Sequence, residues 1–499
     1  MNVIPLHVKD ARIIDIQRFK DHRGFLEELY NCQKYPEDIT CEFEVKQNTC
    51  SRSHQNVIRG LHISPYAKLL TCIQGAVYDV VVDLRPESPS YMQWAAAVLT
   101  EDNLRQLYIP PNCGHGFLSI KENSTVVYCQ GGFFHPSIDF GITPFDPVAD
   151  VYWPIPKDVS AIISEKDEKA LPAKVEGGVL PKRTRVLIIG ASGQVGGALK
   201  EAVAKRPDMV SIGTCGEHPQ ECLIPFDMEK AASDPSIIDT LFTACRPAIV
   251  CICAAFSWVD GNEKFPEKAK AINLTAVTKL TEAAKAIGAK TVFYSSDYVF
   301  DGATKQNGLA SGMAEIYANS LGNSETDTAN PLNNYGSYKL DAEKAVLATD
   351  PSALVLRISR VYGPEVQGKN FVFQLTNNIQ AGKTLNCLTD EISCPTYNRD
   401  IAEATLELAR KDLSGLFHCT GPQALSKLQW GIEVCKYFNL DSGKLNPIEG
   451  QQQGTANRPK VAVMSSQKLS AAIPDVKFHT ITEALKDWQE NPRGKLLNF

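Results

Sequence analysis

The sequence predicts two domains of different class: an all-β, cupin-like barrel followed by an α/β unit with a Rossmann-like, doubly wound parallel sheet. Three observations predict this. The chain has 499 residues, against ~100–200 for a typical domain. Up to about residue 170 it reads as short apolar runs broken by Gly, Pro, Asn and Asp, with no helical period. From Arg185 onward apolar runs alternate with amphipathic stretches, the rhythm of parallel strands joined by crossover helices.

Taken in order, strands are expected in LLTCIQGAVYDVVVDL (69–84), AAAVLT (95–100), LRQLYIP (104–110) and STVVYCQ (124–130). LPAKVEGGVLPKRT (171–184) carries Pro, Gly and charge without a period, as a linker does. The expected domains are therefore 1–172 and 185–499, joined by 173–184. In the second, RVLIIGA, AIVCICAA and KTVFYSSDYVF read as strands, and VGGALKEAVAKR and EKAKAINLTAVTKLTEAAKAIG as helices. Residues 303–330 are polar and rich in Gly and Ser, a surface excursion expected near the site. No internal repeat is visible.

Hydrophobic residues make up 43% and charged residues 22%, which excludes wholesale disorder. With 51 basic and 57 acidic residues the net charge is −6, so neither nucleic acid nor a membrane surface is an expected partner. Lys9 and Asp10 interrupt the amino terminus where a secretory signal needs an apolar core. Apolar runs such as Ile249–Phe256 fall far short of the ~20 residues that span a bilayer. Fifteen scattered cysteines with no Cys-x-x-Cys pair read as reduced thiols, and a cytoplasmic protein is expected. His22, His62, His115 and His135 lack metal-ligand spacing, so no metal is expected.

The turn after RVLII carries Gly190, Gly193 and Gly196 as G-x-x-G-x-x-G. Glycines there let the backbone approach a pyrophosphate at a helix amino terminus. Such turns also serve packing, and the strand before and helix after are what favour a dinucleotide. Tyr335 and Lys339, at i and i+4, share one helix face. An ammonium beside a phenol lowers its pKa, making Tyr335 an acid for a ketone oxygen. In isolation the pair reads more readily as a half-buried Tyr beside a solvated Lys. Ser296, at a strand end, either bonds the same ketone or caps the next turn. The three features in this order point to a short-chain dehydrogenase. In the first half, RGLH places Arg59 and His62 at a strand end ahead of Lys68. A lone barrel histidine is more often a structural hydrogen-bonder than a base.

The stretch from 185 to about 490 resembles the dTDP-4-dehydrorhamnose reductase family. The matching runs are VLIIGASGQVG, AINLTAVTKLTEAAKAIGAKTVFYSSDYVFDG, NNYGSYKLDAEKAV, LRISRVYG, GKNFV and ANRPKVAVMSSQKL. The resemblance implies Ser296, Tyr335 and Lys339 as the catalytic set, with Tyr335 protonating the C-4 oxygen. It places Gly190, Gly193, Gln194, Val195, Gly196, Ala254 and Ala255 at the cofactor, with Tyr335 and Lys339, and Asp227 near the adenine. Asn370, Phe371 and Arg458 would meet the nucleotide-sugar. The strand in VSIGTCGEHP ends in Thr214 and Cys215 without an adjoining acid, so NADPH is expected over NADH. The same family includes the non-catalytic regulatory subunit of methionine adenosyltransferase.

Residues 10–170 resemble the dTDP-4-dehydrorhamnose 3,5-epimerase family through DHRGFLEE, VKQNTCSRS, VIRGLH, KLLTCIQGAVYDVVVDLRPESPSY, QLYIPPNCGHGF and ISEKD. This implies His62 as base, Asp167 as the carboxylate orienting it, and Lys68 as the cation steadying an enolate. Arg23 and Arg59 would hold the pyrophosphate, with Phe25, Glu27, Gln47, Asn48 and His115 lining the nucleotide-sugar pocket. One departure stands out. The family has an acid tyrosine two residues before a proline, where this chain reads GGFFHP, with Phe134 at that place. The two resemblances together imply a bifunctional 3,5-epimerase/4-reductase making a nucleotide-L-rhamnose, UDP- or dTDP-linked, and a homodimer through the barrel. The alternatives are a reductase with an altered epimerase domain, and a non-catalytic scaffold.

Overall fold

The computed structural model describes residues 1–499 except 42, 136–139, 175–181, 217–219, 304–315, 318–321, 451–455 and 496–499. The chain divides into two compact units. One is Met1–Arg185 with Pro219–Pro225 and Asp239–Arg246; the other is Val186–His218, Phe226–Ile238 and Pro247–Phe499. Most of the expected linker, and most of the polar excursion at 303–330, lies outside the described residues.

The first unit holds two antiparallel sheets. The six-stranded one runs Asn2–Pro5, Arg12–Asp15, Arg105–Ile109, Lys68–Gln74, Ser124–Gln130, Gln47–Ser53. The five-stranded one runs Phe140–Gly141, Ile58–Ile63, Cys113–Ser119, Ala76–Asp83, Trp94–Thr100. The long apolar run at 69–84 is two strands broken at Gly75, whose φ of +77° a side chain disfavours. Alternation along these strands sorts their faces. Tyr78, Val80, Val82, Trp94 and Leu118 bury on one side of the five-stranded sheet beneath Ile142, Val148 and Trp153. Ile14, Leu69 and Tyr108 do the same on the six-stranded sheet, against Tyr35, Ile39 and Phe43. Each such side chain contributes ~1.5–3 kcal/mol by leaving water. The intervening residues Lys68, Asp79, His115, Tyr128 and Gln130 thereby fall on the opposite faces, and the His115 and Tyr128 rings meet across the lumen at 6.1 Å.

The sheet of the second unit is ordered Met209–Cys215, Thr184–Ile189, Ile249–Ile252, Lys290–Ser296, Leu354–Ile358, Gly415–His418. Thr184–Ile189 through Gly415–His418 pair in parallel. Strand order reverses between Thr184–Ile189 and Ile249–Ile252, the crevice where such sheets bind ligands. The expected long helix is realised as Pro266–Lys270, a π turn at Ala271–Thr275, and Ala276–Ala286. The expected strand KTVFYSSDYVF stops at Ser296 and becomes a 3-10 turn, Asp297–Val299. A further core gathers Tyr362, Phe371, Phe373, Trp430 and Trp488 around the helices Phe371–Gln380, Lys427–Phe438 and Ile481–Glu490. Among the described residues no helix is long and apolar enough to cross a membrane.

Candidate active sites

In the barrel, His62 ends the strand Ile58–Ile63, and its Nε2 lies 2.8 Å from Asp167 Oδ1. Asp167 comes from a four-residue helix, Glu165–Glu168, whose amino end is capped by the Ser164 hydroxyl. Burial alone would raise this carboxyl, but hydrogen bonds from His62 and Ser164 and the charge of His62 hold it below its ordinary value. A carboxylate so placed fixes the imidazole tautomer and supports the cation formed when the ring takes a proton.

His115 is the cross-strand partner of His62 and is itself held at 2.7 Å by Asp79. Both are buried, and desolvation pushes the imidazole down and the carboxyl up. Lys68, 7% exposed, opens its strand opposite Gln130 and lies close enough for its charge to act on both His115 and Asp79. An ammonium at this depth suits a developing enolate oxygen. Gln47 pairs with Gln130, and both amides donate to Thr49 Oγ1, at 3.1 and 3.0 Å.

The remaining expected pocket residues are less gathered. Arg59 donates to Ser53 Oγ and the Arg52 carbonyl at 3.0 and 3.2 Å. Asn48 is exposed on the edge strand Gln47–Ser53. Arg23, Phe25 and Glu27 sit on the hairpin Arg18–Asp21/Gly24–Glu27, which forms a sheet of its own. There Arg23 bonds Asp21, Glu27 bonds Arg18, and the Arg18 guanidinium covers the exposed Phe25 ring at 4.0 Å.

In the second unit the three glycines form the turn between the strand Thr184–Ile189 and the helix Gln194–Ala204. Gly190 turns at φ +87°, with an added Cβ 3.0 Å from Ala254 N, and its N–H donates to Thr214 Oγ1 at 3.0 Å. Gly193 caps the helix Gln194–Ala204 without a side-chain bond, leaving N–H groups for an anion. A Cβ on Gly196 would collide with the Gly190 carbonyl, so the cradle exists only because these positions are bare. Val195 is half-buried beside them, and Ala254 and Ala255 follow the strand Ile249–Ile252. The strand beyond ends in neutral Thr214 and Cys215, with Glu217 and His218 outside the described residues. This is a site a dinucleotide diphosphate fits. Asp227, expected near adenine, follows the strand Leu223–Pro225 and caps the next helix, accepting from the Glu229 and Lys230 N–H groups.

Tyr335 and Lys339 lie on the helix Asn334–Thr349, drawn against the turn after Ser296 because Gly336 presents no Cβ to the Tyr298 carbonyl. The Tyr335 ring meets that of Tyr298 at 5.7 Å, and the Ser296 hydroxyl close by donates to Asp297 Oδ1 at 2.9 Å. One expectation is corrected here. The Tyr335 phenol is pushed up, by burial first and then by the Asp297 charge, rather than lowered by Lys339. The reason is where the ammonium points: Lys339 Nζ donates to the Tyr294 carbonyl at 2.8 Å and stands 6.0 Å from the Tyr335 ring centroid. Burial pulls Lys339 itself down to about 8, against the opposing pull of Glu343 and Cys253.

Asn370 and Phe371, expected near the nucleotide-sugar, have structural contacts of their own. Asn370 caps the helix Phe371–Gln380 and donates to Glu365, while Phe371 packs on Trp430 at 4.5 Å. Buried Glu365 also accepts from Gln194 at 2.9 Å, tying the glycine loop to Asn370. Arg458 is held by Asp260 at 2.8 Å. The sequence reading missed Asp79, Gln130, Asp297, Asp260 and Glu365, whose roles come from contacts far along the chain.

A family model described as RmlD substrate binding domain matches residues 184–491. Another, dTDP-4-dehydrorhamnose 3,5-epimerase, matches residues 5–174. A dTDP-4-dehydrorhamnose 3,5-epimerase of Escherichia coli strain K12 is 38% identical over 173 residues, 34% of this chain and 92% of that protein. The chain belongs to both families. Its reductase-family part is also 32% identical over 298 residues to methionine adenosyltransferase 2 subunit beta of Rattus norvegicus, 58% of this chain and 82% of that one. The same part resembles the crystal structure of a Bacillus anthracis dTDP-4-dehydrorhamnose reductase in complex with NADP, at 25% identity and TM-score 0.51, covering 62% of this chain and 99% of that one. The His62–Asp167 pair thus lies within the epimerase-family match, and Ser296, Tyr335 and Lys339 lie within the reductase-family match.

Proposed function

We propose that the chain is a bifunctional enzyme that epimerises a nucleotide-linked 4-keto-6-deoxyglucose at C-3 and C-5 and then reduces C-4, giving a nucleotide-L-rhamnose. The observation that carries this is the presence, in one chain, of the His62–Asp167 pair with Lys68 and of Ser296–Tyr335–Lys339 beside a bare glycine cradle. His62 removes a proton acidified by the C-4 ketone, and Lys68 steadies the resulting enolate. Arg23, Phe25, Glu27, Gln47, Asn48, Arg59 and His115 bind the nucleotide-sugar. NADPH, when bound, supplies the hydride. Gly190, Gly193, Gln194, Val195, Gly196, Ala254 and Ala255 seat its diphosphate, and Tyr335 gives its proton to the C-4 oxygen. Asn370, Phe371 and Arg458 meet the nucleotide-sugar, and Asp227 lies near the adenine.

The proposed limits are 1–172 for the epimerase part, 173–184 for the linker and 185–499 for the reductase part. A covalent link raises the effective concentration of the second site for the intermediate released by the first. A homodimer through the barrel is supported by the exposed Phe19, Phe25 and Leu26 on one hairpin, more than an isolated surface needs. The scattered cysteines, with no Cys-x-x-Cys pair, support a cytoplasmic location.

The test is to supply UDP- and dTDP-4-keto-6-deoxyglucose with NADPH, follow cofactor oxidation and identify the sugar by NMR. L-Rhamnose is the expected product. A different 6-deoxyhexose would mean that the barrel inverts one centre or none. The likeness to methionine adenosyltransferase 2 subunit beta favours a second reading, a regulatory protein. Absence of cofactor oxidation with either nucleotide would replace the enzyme reading with that one.

A further inference from the structure

Inversion at a carbon needs a proton taken from one face and another delivered to the opposite face. His62 comes from the five-stranded sheet, so the donor belongs on the six-stranded sheet facing it. Phe133 and Phe134, 68% and 50% exposed, have no proton to give, and the Phe134 N–H is engaged with Gln47 Oε1 at 2.9 Å. Tyr108 and Tyr35 pack together in the core on the other side of that sheet, which leaves Tyr128 and Tyr66. Tyr128 is half-buried, and its ring packs against those of His115 and Phe117, at 6.1 and 6.4 Å.

Tyr66 is different. It lies in the connection between the strands Ile58–Ile63 and Lys68–Gln74, half-buried, two residues ahead of Lys68. Its ring covers Gly132: a Cβ there would meet Tyr66 Cγ at 2.8 Å and Cε1 at 3.1 Å, with Cδ1 closer still. Gly132 is not among the glycines of positive φ, so no turn requires it; the bare position makes room for the ring. The phenol oxygen lies 3.5 Å from Gln130 Oε1, and Gln130 is the cross-strand partner of Lys68. The phenol therefore stands over the segment that carries Phe134, next to the cation expected to hold the enolate.

We propose that Tyr66 is the lumenal acid of the epimerase part, taking the place that Phe134 leaves empty of a phenol. This rests on the epimerase reading above. The His62 imidazole takes the proton from C-3, the C–H pair becoming the enolate held by Lys68. The enolate then takes the Tyr66 O–H proton on its other face, forming the new C–H bond, and C-5 follows by the same route. The phenolate regains a proton from solvent and His62 returns one, so the cycle closes without a further reactant.

The full chain, without NADPH, is incubated in D2O with dTDP-4-keto-6-deoxyglucose, and NMR reads deuterium and configuration at C-3 and C-5. Tyr66→Phe is expected to keep exchanging deuterium with retention, since His62 still returns a proton to the face it came from. Inversion should fall ~10²-fold or more. Adding Phe134→Tyr to that variant is expected to restore inversion, and Gly132→Ala, which displaces the ring, to impair it. Inversion at the wild-type rate in Tyr66→Phe overturns the proposal. So does equal loss of exchange and inversion, which an acid role does not produce. Wild-type protein that exchanges nothing overturns the epimerase reading itself, and the role of Tyr66 with it.

Discussion

His62 Nε2 and Asp167 Oδ1 meet at 2.8 Å although 105 residues separate them. The pairing depends on a single short helix, Glu165–Glu168, returning to the end of the strand Ile58–Ile63. Asp167→Asn keeps the shape and removes the charge, so imidazolium formation loses its support. Deuterium exchange at C-3 and C-5 is expected to slow by ~10²–10⁴-fold. The folded carboxyl sits below its ordinary 3.8. Its stabilising contribution is therefore present above that value and lost as pH falls through the lower folded one. Acid unfolding curves of the two proteins should converge in that range.

Tyr335→Phe removes the proposed acid of the second site and leaves the barrel residues unchanged. Cofactor oxidation with a 4-keto sugar nucleotide is expected to fall ~10²–10⁴-fold, with deuterium exchange at C-3 and C-5 unchanged. A parallel loss of both would show that the two sites are not independent.

Glu343 follows Lys339 by one helical turn and takes both Nε and a terminal nitrogen of Arg357, at 2.8 and 2.7 Å, in a buried pair. Glu343→Gln leaves the guanidinium uncompensated and should cost ~3–5 kcal/mol, read from urea unfolding. It also withdraws a charge that supports the Lys339 ammonium, leaving Cys253 as the other opposing group. The alkaline fall in reduction rate, expected near pH 8 from the buried lysine, should move to lower pH. The linkage has a definite sign. With a folded value of about 8 against 10.5, the unfolded chain binds the extra proton between them, so stability rises with pH across that window.

Gly196→Ala drives a Cβ into the Gly190 carbonyl. Such overpacking costs ~1–3 kcal/mol, and here it also narrows the cradle at the helix amino terminus. Weaker NADPH binding in a fluorescence titration, with epimerisation intact, is the expected result.

The sequence by itself determined the class of both parts. Short apolar runs broken by Gly, Pro, Asn and Asp, and the switch at Arg185 to strands alternating with helices, are local patterns, and a local pattern is legible without coordinates. The glycine cradle was legible for the same reason, since Gly190, Gly193 and Gly196 lie within one turn, and so was the i, i+4 placement of Tyr335 and Lys339. Only the tertiary structure decided what those groups face. Lys339 points to the Tyr294 carbonyl instead of the Tyr335 phenol, because the strand Lys290–Ser296 passes beneath the helix. Asp227 and Asn370 cap helices, and Phe371 joins a core with Trp430. Asp79 on His115, and the ring of Tyr66 over Gly132, arise from sheet register and a close approach between distant segments. Spacing along a chain specifies which residues share a face; partners across strands are chosen by packing, which no short stretch of sequence contains.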